Sequence, residues 1–183
     1  LNGLPARKRP LLRLESGRYL VDEAGYLLST VVALKGMSRP IVAGSELSAR
    51  EYKEQLVLSE EPKIGYVIDA GINLLSTTPW YQIAVRSARA VDAPPAPSRI
   101  YGSLCMAIDV IRDNVDLPPL HTGAAVTLHP VGAYNVVQSM QFISYRPAVV
   151  LIDEHGQPEV IRAKETLDDV VHLERLPERL APR

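Results

Sequence analysis

Three short segments of this sequence carry side chains that could do chemistry. In Leu14-Glu-Ser-Gly-Arg-Tyr19 a glutamate, a glycine and an arginine fall within four positions. Gly17 lacks the Cβ that would keep a ligand off the backbone, so its N–H can reach an anion at close range. Arg18 can fork two N–H groups onto a phosphate. Taken alone, the same residues also describe a turn with a surface salt bridge. Tyr101-Gly-Ser-Leu-Cys-Met-Ala-Ile-Asp109 holds the only cysteine. A lone cysteine in apolar surroundings is ordinarily a small buried hydrophobe, whereas a thiol that moves protons must be positioned and partly exposed. In Val131-Gly-Ala-Tyr-Asn135, Gly132 and Ala133 permit tight backbone packing, and Tyr134 either presents its hydroxyl or simply ends a strand. His121, His129, His155 and His172 lie in separate segments without ligand spacing, so no metal is inferred.

Composition bounds what these segments can belong to. The chain has 183 residues, 46% hydrophobic and 22% charged, with a formal net charge of -1, ordinary values for a globular protein with one core. No Lys/Arg stripe is present to neutralise a run of phosphates, which argues against a nucleic-acid partner. One cysteine excludes an internal disulfide framework and points to a reducing, cytoplasmic setting. No apolar run approaches the roughly 20 residues that span a bilayer, and no signal-peptide pattern opens the chain. Leu1 stands where a Met would begin a complete protein, and Arg9 to Leu14 reads like the middle of a domain. A piece cut from something longer is the expectation.

The elements that must position these residues are mostly strands. Arg18 to Lys35 reads as one long strand or two broken at Gly25. Ser45 to Leu56 has the caps, charges and sparse apolar face of a short surface helix. Gly65-Tyr-Val-Ile-Asp69 is a compact apolar strand ending on an acid. Trp80 to Arg86 fits a helical turn or a strand equally. Ala93-Pro-Pro-Ala-Pro97 reads as a stiff linker that no strand or helix interior accommodates. Ser98 to Ser103 reads as a strand and Met106 to Arg112 as a helical turn or short strand, before a break at Leu117-Pro-Pro-Leu120. Three further strands are expected at Ala124 to His129, Gln141 to Ile152 and Glu159 to Ala163, with Asp153-Glu-His-Gly156 as the hairpin turn between the last two. Thr166 should cap a C-terminal helix with Asp168 and Asp169 in its first turn. Many short strands with Gly/Pro punctuation and no internal repeat imply a mainly β chain, an antiparallel sandwich or barrel-like domain with a terminal helix.

In this order, Glu-x-Gly-Arg-Tyr, Val-Ile-Asp-Ala-Gly-Ile-Asn, Gly-x-x-Cys-x-x-x-Asp, Gly-Ala-Tyr, a Pro-Ala-Val-Val strand and a Glu-Thr-Leu-Asp-Asp helix resemble the diaminopimelate/ornithine decarboxylase family, from about residue 10 to residue 173. The family is dependent on pyridoxal 5'-phosphate (PLP) and shares its architecture with alanine racemase. The resemblance implies an N-terminal (β/α)8 barrel, carrying the lysine that forms the PLP Schiff base, packed against a C-terminal β domain. Residues 1–18 would then hold the last barrel strand (Leu12 to Arg18, with its exit loop) and 19–183 the β domain, with chemistry on the strand-end face of the barrel. It further implies that Glu15 pairs with the pyridine nitrogen, that Gly17 and Arg18 hold the phosphate with the Tyr134 hydroxyl, and that PLP serves as electron sink for decarboxylation of a small amino acid. Cys105 would enter the active site of a second copy, in a homodimer, and protonate the carbanion left by CO2. Asp69, Thr77, Tyr81, Met106 and Asp109 would fall on the substrate side.

Departures from the family pattern concentrate at the substrate end. Ser16 stands where proline is usual, which alters loop stiffness more than chemistry. Met106 replaces the acid that follows the cysteine, and a thioether cannot pair with an ammonium group. Thr77 falls near the arginine that binds a distal carboxylate in diaminopimelate decarboxylases, while Tyr81 and Asp69 match their family counterparts. None of the five lysines, Lys35 included, lies in a segment resembling the Schiff-base site. The chain alone is therefore expected to be inactive, its barrel lying on the same polypeptide or a separate one. Two other readings remain open: a decarboxylase-like interaction or regulatory module without activity, and an alanine racemase-like enzyme, in which the Cys105 motif has no place.

Overall fold

In the computed structural model, Pro5, Leu11 and residues 13–38 and 63–180 are described. The helix expected at Ser45 to Leu56 lies outside them. Among the described residues six strands build one sheet: β1 (Leu27–Ser38), β2 (Lys63–Ile68), β3 (Ala84–Ser87), β4 (Ala96–Tyr101), β5 (Val110–Leu117) and β6 (Ala125–His129). Their order is β3-β6-β1-β2-β4-β5. The outermost strands β3 and β5 touch, so the sheet curls almost into a barrel. β1 is long enough to serve two neighbours, its first half pairing with β6 and its second half with β2. Inside the curl, Val31, Tyr66, Ile68, Ile100, Val126 and Leu128 are fully buried, each contributing about 1.5–3 kcal/mol of apolar burial. The one phenol among them is satisfied, because Tyr66 Oη accepts the Leu120 N–H at 3.1 Å.

The mainly β class holds, but the sheet is mixed rather than antiparallel, because β2 and β4 run parallel. The chain between them makes the long crossover that parallel strands require, and it uses the passage to place β3 on the far edge. Arg18 to Val21 is not strand. Gly17–Val21 forms a short helix, α1, running into a 3-10 turn at Asp22–Ala24, and β1 starts only at Leu27. An Arg18–Asp22 ion pair spaced i,i+4 favours that helical turn. Residues 13–16 have no strand conformation and no ladder partner; a strand there needs a neighbouring strand to take its backbone hydrogen bonds.

The linker expected at Ala93 to Pro97 gives up its last two residues to β4. Pro97 faces Asp116 of β5, while the ladder to β2 begins at Ser98, so the missing N–H falls where β4 has one neighbour. Trp80 to Arg86 resolves into turns followed by β3. Of the long strand expected at Gln141 to Ile152, only Val149–Ile152 (β7) forms. It pairs with β8 (Pro158–Arg162) across the predicted turn, where Asp153 Oδ1 accepts the N–H groups of His155 and Gln157 at 2.8 and 2.7 Å. The terminal helix is α2 (Leu167–Val171), closed at its start by a reciprocal capping box between Thr166 and Asp169. Glu165, just before it, accepts from the Arg146 side chain at 2.6 and 3.0 Å and from the Arg146 backbone at 3.0 Å. Hydrogen bonds from the Arg146 side chain, then its backbone, then Gln141, hold the Glu165 carboxyl down at about 2.

Candidate active site

Arg18 is held from two sides. Its Nη2 lies 2.6 Å from Asp22 Oδ2, and the guanidinium stacks over the Tyr81 ring, 3.5 Å from the centroid. Nη1 is buried and has no hydrogen-bond partner among the described residues. The same Asp22 reaches the far segment of the chain: Oδ1 accepts the Ala133 N–H at 3.2 Å and its backbone oxygen accepts the Gly132 N–H at 2.9 Å. This bridging demands close backbone approach. A Cβ on Gly132 would overlap the Val21 carbonyl oxygen, and one on Gly25 would overlap Gly132 itself. Glycine at both positions is a packing requirement.

Immediately after this contact the chain turns through Tyr134 at φ 66°, an unusual conformation for a bulky residue. Asn135 fixes the turn from the inside. Its Oδ1 accepts the Thr77 backbone N–H at 3.3 Å and the Thr77 hydroxyl at 3.1 Å, while its Nδ2 donates to the Val131 carbonyl. The result is an open cleft of about 190 Å³ lined by Thr77, Trp80, Tyr81, Tyr134 and Gln138. Thr77, Tyr81 and Tyr134, which are up to 57 positions apart in sequence (77 to 134), thus meet at one place, with Arg18 packed on the Tyr81 ring. Thr77 is buried, its N–H and hydroxyl donate to Asn135, and its carbonyl accepts the Trp80 and Tyr81 N–H groups, so its polar groups are spent within the protein.

The second cluster surrounds Asp109. This residue is 3% exposed, and its carboxylate accepts the Ile72 N–H at 2.8 Å and the Leu104 N–H at 2.8 Å. Its backbone closes the loop as well, the Gly102 N–H donating to Asp109 O at 2.9 Å and the Asp109 N–H to Met106 O at 3.0 Å. Gly71 and Gly102 lie so close that a Cβ on either would press on this carboxylate. Asp109 therefore ties the loop after β2 to the loop between β4 and β5. The latter carries Cys105, a free and exposed thiol, and the half-buried Met106. Asp69 is also engaged, accepting from the Ser29 hydroxyl at 2.5 Å and the Thr30 N–H at 2.8 Å on β1. Glu15 is exposed just before α1 and accepts the N–H of Gly17, the first residue of that helix, at 2.9 Å on its backbone oxygen; nothing stands within 4 Å of where a Gly17 Cβ would be.

Asp22, Asn73, Trp80, Asn135 and Gln138 were not singled out from sequence. Asp22 had a signal, the i,i+4 spacing from Arg18. Asn73 is fully buried and donates to Ser144 Oγ at 2.8 Å and to the Phe142 carbonyl at 3.3 Å, while its backbone oxygen accepts the Met140 N–H. Nothing local announces a partner some 70 residues away.

The donor set suits an anionic, aromatic ligand. Arg18 supplies a guanidinium whose buried Nη1 has no partner among the described residues, Gly17 has open space where a Cβ would stand, and Tyr81 and Tyr134 border the cleft.

Residues 18–132 match the family described as pyridoxal-dependent decarboxylase, C-terminal sheet domain. A diaminopimelate decarboxylase of Methanothermobacter thermautotrophicus is 30% identical over 180 residues, which cover 96% of this chain and 36% of that protein. The diaminopimelate decarboxylase of Escherichia coli K12 is 27% identical over 180 residues, covering 90% and 37%. Among solved structures, diaminopimelate decarboxylase from M. jannaschii in co-complex with L-lysine superposes with a TM-score of 0.69 at 24% identity, over 90% of this chain and 33% of that one. The chain spans about a third of the length of the proteins it matches.

Proposed function

This chain belongs to the pyridoxal-dependent decarboxylase family, matching its C-terminal sheet domain, and on that footing we propose that it forms one wall of the active site of a diaminopimelate decarboxylase-like amino-acid decarboxylase. The observation that carries this reading is Arg18, clamped between Asp22 and the cleft residue Tyr81, with Nη1 buried and unpaired among the described residues. Gly17 N–H, Arg18 and the Tyr134 hydroxyl would hold the phosphate of PLP, and Glu15 would accept the pyridine N–H and keep that proton in place. Bound there, PLP supplies an electron sink for the bond that releases CO2.

Cys105 would give its Sγ proton to the carbon that has lost CO2. The S–H bond breaks, the C–H bond forms, and the thiolate regains a proton from solvent. An exposed thiol on a loop braced by Asp109 suits such a donor, and in the family arrangement it would serve the site of a second copy. Asp69, Thr77, Tyr81, Met106 and Asp109 line or shape the substrate side. Thr77 spends its polar groups on Asn135 and Met106 carries no charge, so neither would pair with a charged distal end of the substrate.

The barrel bearing the Schiff-base lysine would be supplied by residues 1–18 and a further segment or chain, in a cytoplasmic homodimer. Alone, this chain should turn over no amino acid, and turnover without a barrel would contradict the reading. In the complete protein, Arg18→Ala should weaken PLP by about 2 kcal/mol, roughly thirtyfold, the value of a hydrogen bond to a charged group. Cys105→Ala should lower turnover with little change in PLP affinity; equal effects of both on PLP retention would mean that Cys105 is structural. A second reading, a module without catalysis, draws on Thr77 and Met106, and would take over if the complete protein lacked the visible absorbance of lysine-bound PLP.

A further inference from the structure

We infer that Asp22 is a positioning residue for anion binding: it fixes the orientation of the Arg18 guanidinium, and it locks that orientation to the segment carrying Tyr134. The inference rests on the proposed role of Arg18 toward a phosphate. Three observations carry it. Asp22 is buried although charged, with both carboxylate oxygens engaged, Oδ2 by Arg18 Nη2 at 2.6 Å and Oδ1 by the Ala133 N–H at 3.2 Å. The guanidinium also rests on the Tyr81 ring. Nη1 is shielded from water and has no hydrogen-bond partner among the described residues. A carboxylate beside an arginine has two opposed effects on an anionic ligand. It removes positive charge, which weakens binding, and it fixes a long side chain beforehand, which strengthens it. The fixing effect is the larger here, because Tyr81 and Asp22 together leave the guanidinium one orientation, and because the same carboxylate sets the distance to the Tyr134 segment.

The test compares PLP with pyridoxal, which lacks the phosphate, by equilibrium binding to the complete protein. Asp22→Asn keeps the shape and an acceptor for Ala133 but loses the charge that orients Arg18. It should weaken PLP roughly five- to tenfold, the cost of ordering a rotamer-rich side chain at binding, and leave pyridoxal within about twofold. In the Arg18→Ala background the same change should have no effect on PLP. Asp22→Glu, longer by one methylene, should lose part of the discrimination and serves if the asparagine variant does not fold. Tighter PLP binding by Asp22→Asn, equal loss for both ligands, or an effect that persists without Arg18 would overturn the inference. If instead Arg18→Ala itself leaves the preference for PLP over pyridoxal intact, the proposed phosphate role fails first.

Discussion

Truncating Asp109 to alanine removes the acceptor for the Ile72 and Leu104 N–H groups, both buried at 2.8 Å. A buried N–H left without an acceptor costs about 1–3 kcal/mol, so losing both oxygens should destabilise the fold by roughly 2–6 kcal/mol. Asp109→Asn is the sharper instrument. Its remaining oxygen can serve one N–H, while its amide group meets the other donor-to-donor, so roughly half of that loss is expected, about 1–3 kcal/mol. Urea unfolding at fixed pH reads both values from the shift in midpoint at constant slope. If the complete protein is the decarboxylase proposed above, the looser Cys105 loop should appear as a fall in kcat. A side chain that only contacted substrate would behave in the opposite way. Stability within about 0.5 kcal/mol of the parent, together with a rise confined to KM, would show that Asp109 reads the substrate and does not brace the loop.

Gly132→Ala should destabilise by about 1–3 kcal/mol, the usual range for overpacking, because its Cβ would overlap the Val21 carbonyl; thermal unfolding checks the stability, and PLP titration should show weaker binding. Glu165, held down at about 2, stabilises the fold fully above the ordinary glutamate range, and this contribution is lost as pH falls from about 4.5 toward 2. Urea midpoints between pH 5 and pH 2 should therefore fall less steeply in Glu165→Gln than in the parent. Thr166→Ala removes the α2 cap and should cost about 1 kcal/mol, seen as a lower thermal midpoint with PLP binding unchanged.

The strands that alternate cleanly or run apolar between turn residues were legible, as β2, β6 and β8 show, and so was the α2 cap, because each obeys a local rule. Arg18 to Val21 was misread because an apolar stretch of that length has no decisive period, and what makes it helical is an ion pair to Asp22 and the Gly132 backbone pressed against it. Pro97 looked like a linker because strand interiors reject proline. Whether a strand has a neighbour at a given rung is decided by the sheet and is invisible along the chain.

From sequence alone came the family, the mainly β class and the residues with reactive groups, since residue type and order survive without knowledge of who touches whom. The tertiary structure decided what those groups touch: Arg18 meets Asp22 and Tyr81, while Asp109, Asp69 and Thr77 turn inward to hold loops together. A carboxylate or hydroxyl is equally fit to bind a ligand or a backbone N–H, and which it does depends on the donors that packing brings within about 3 Å.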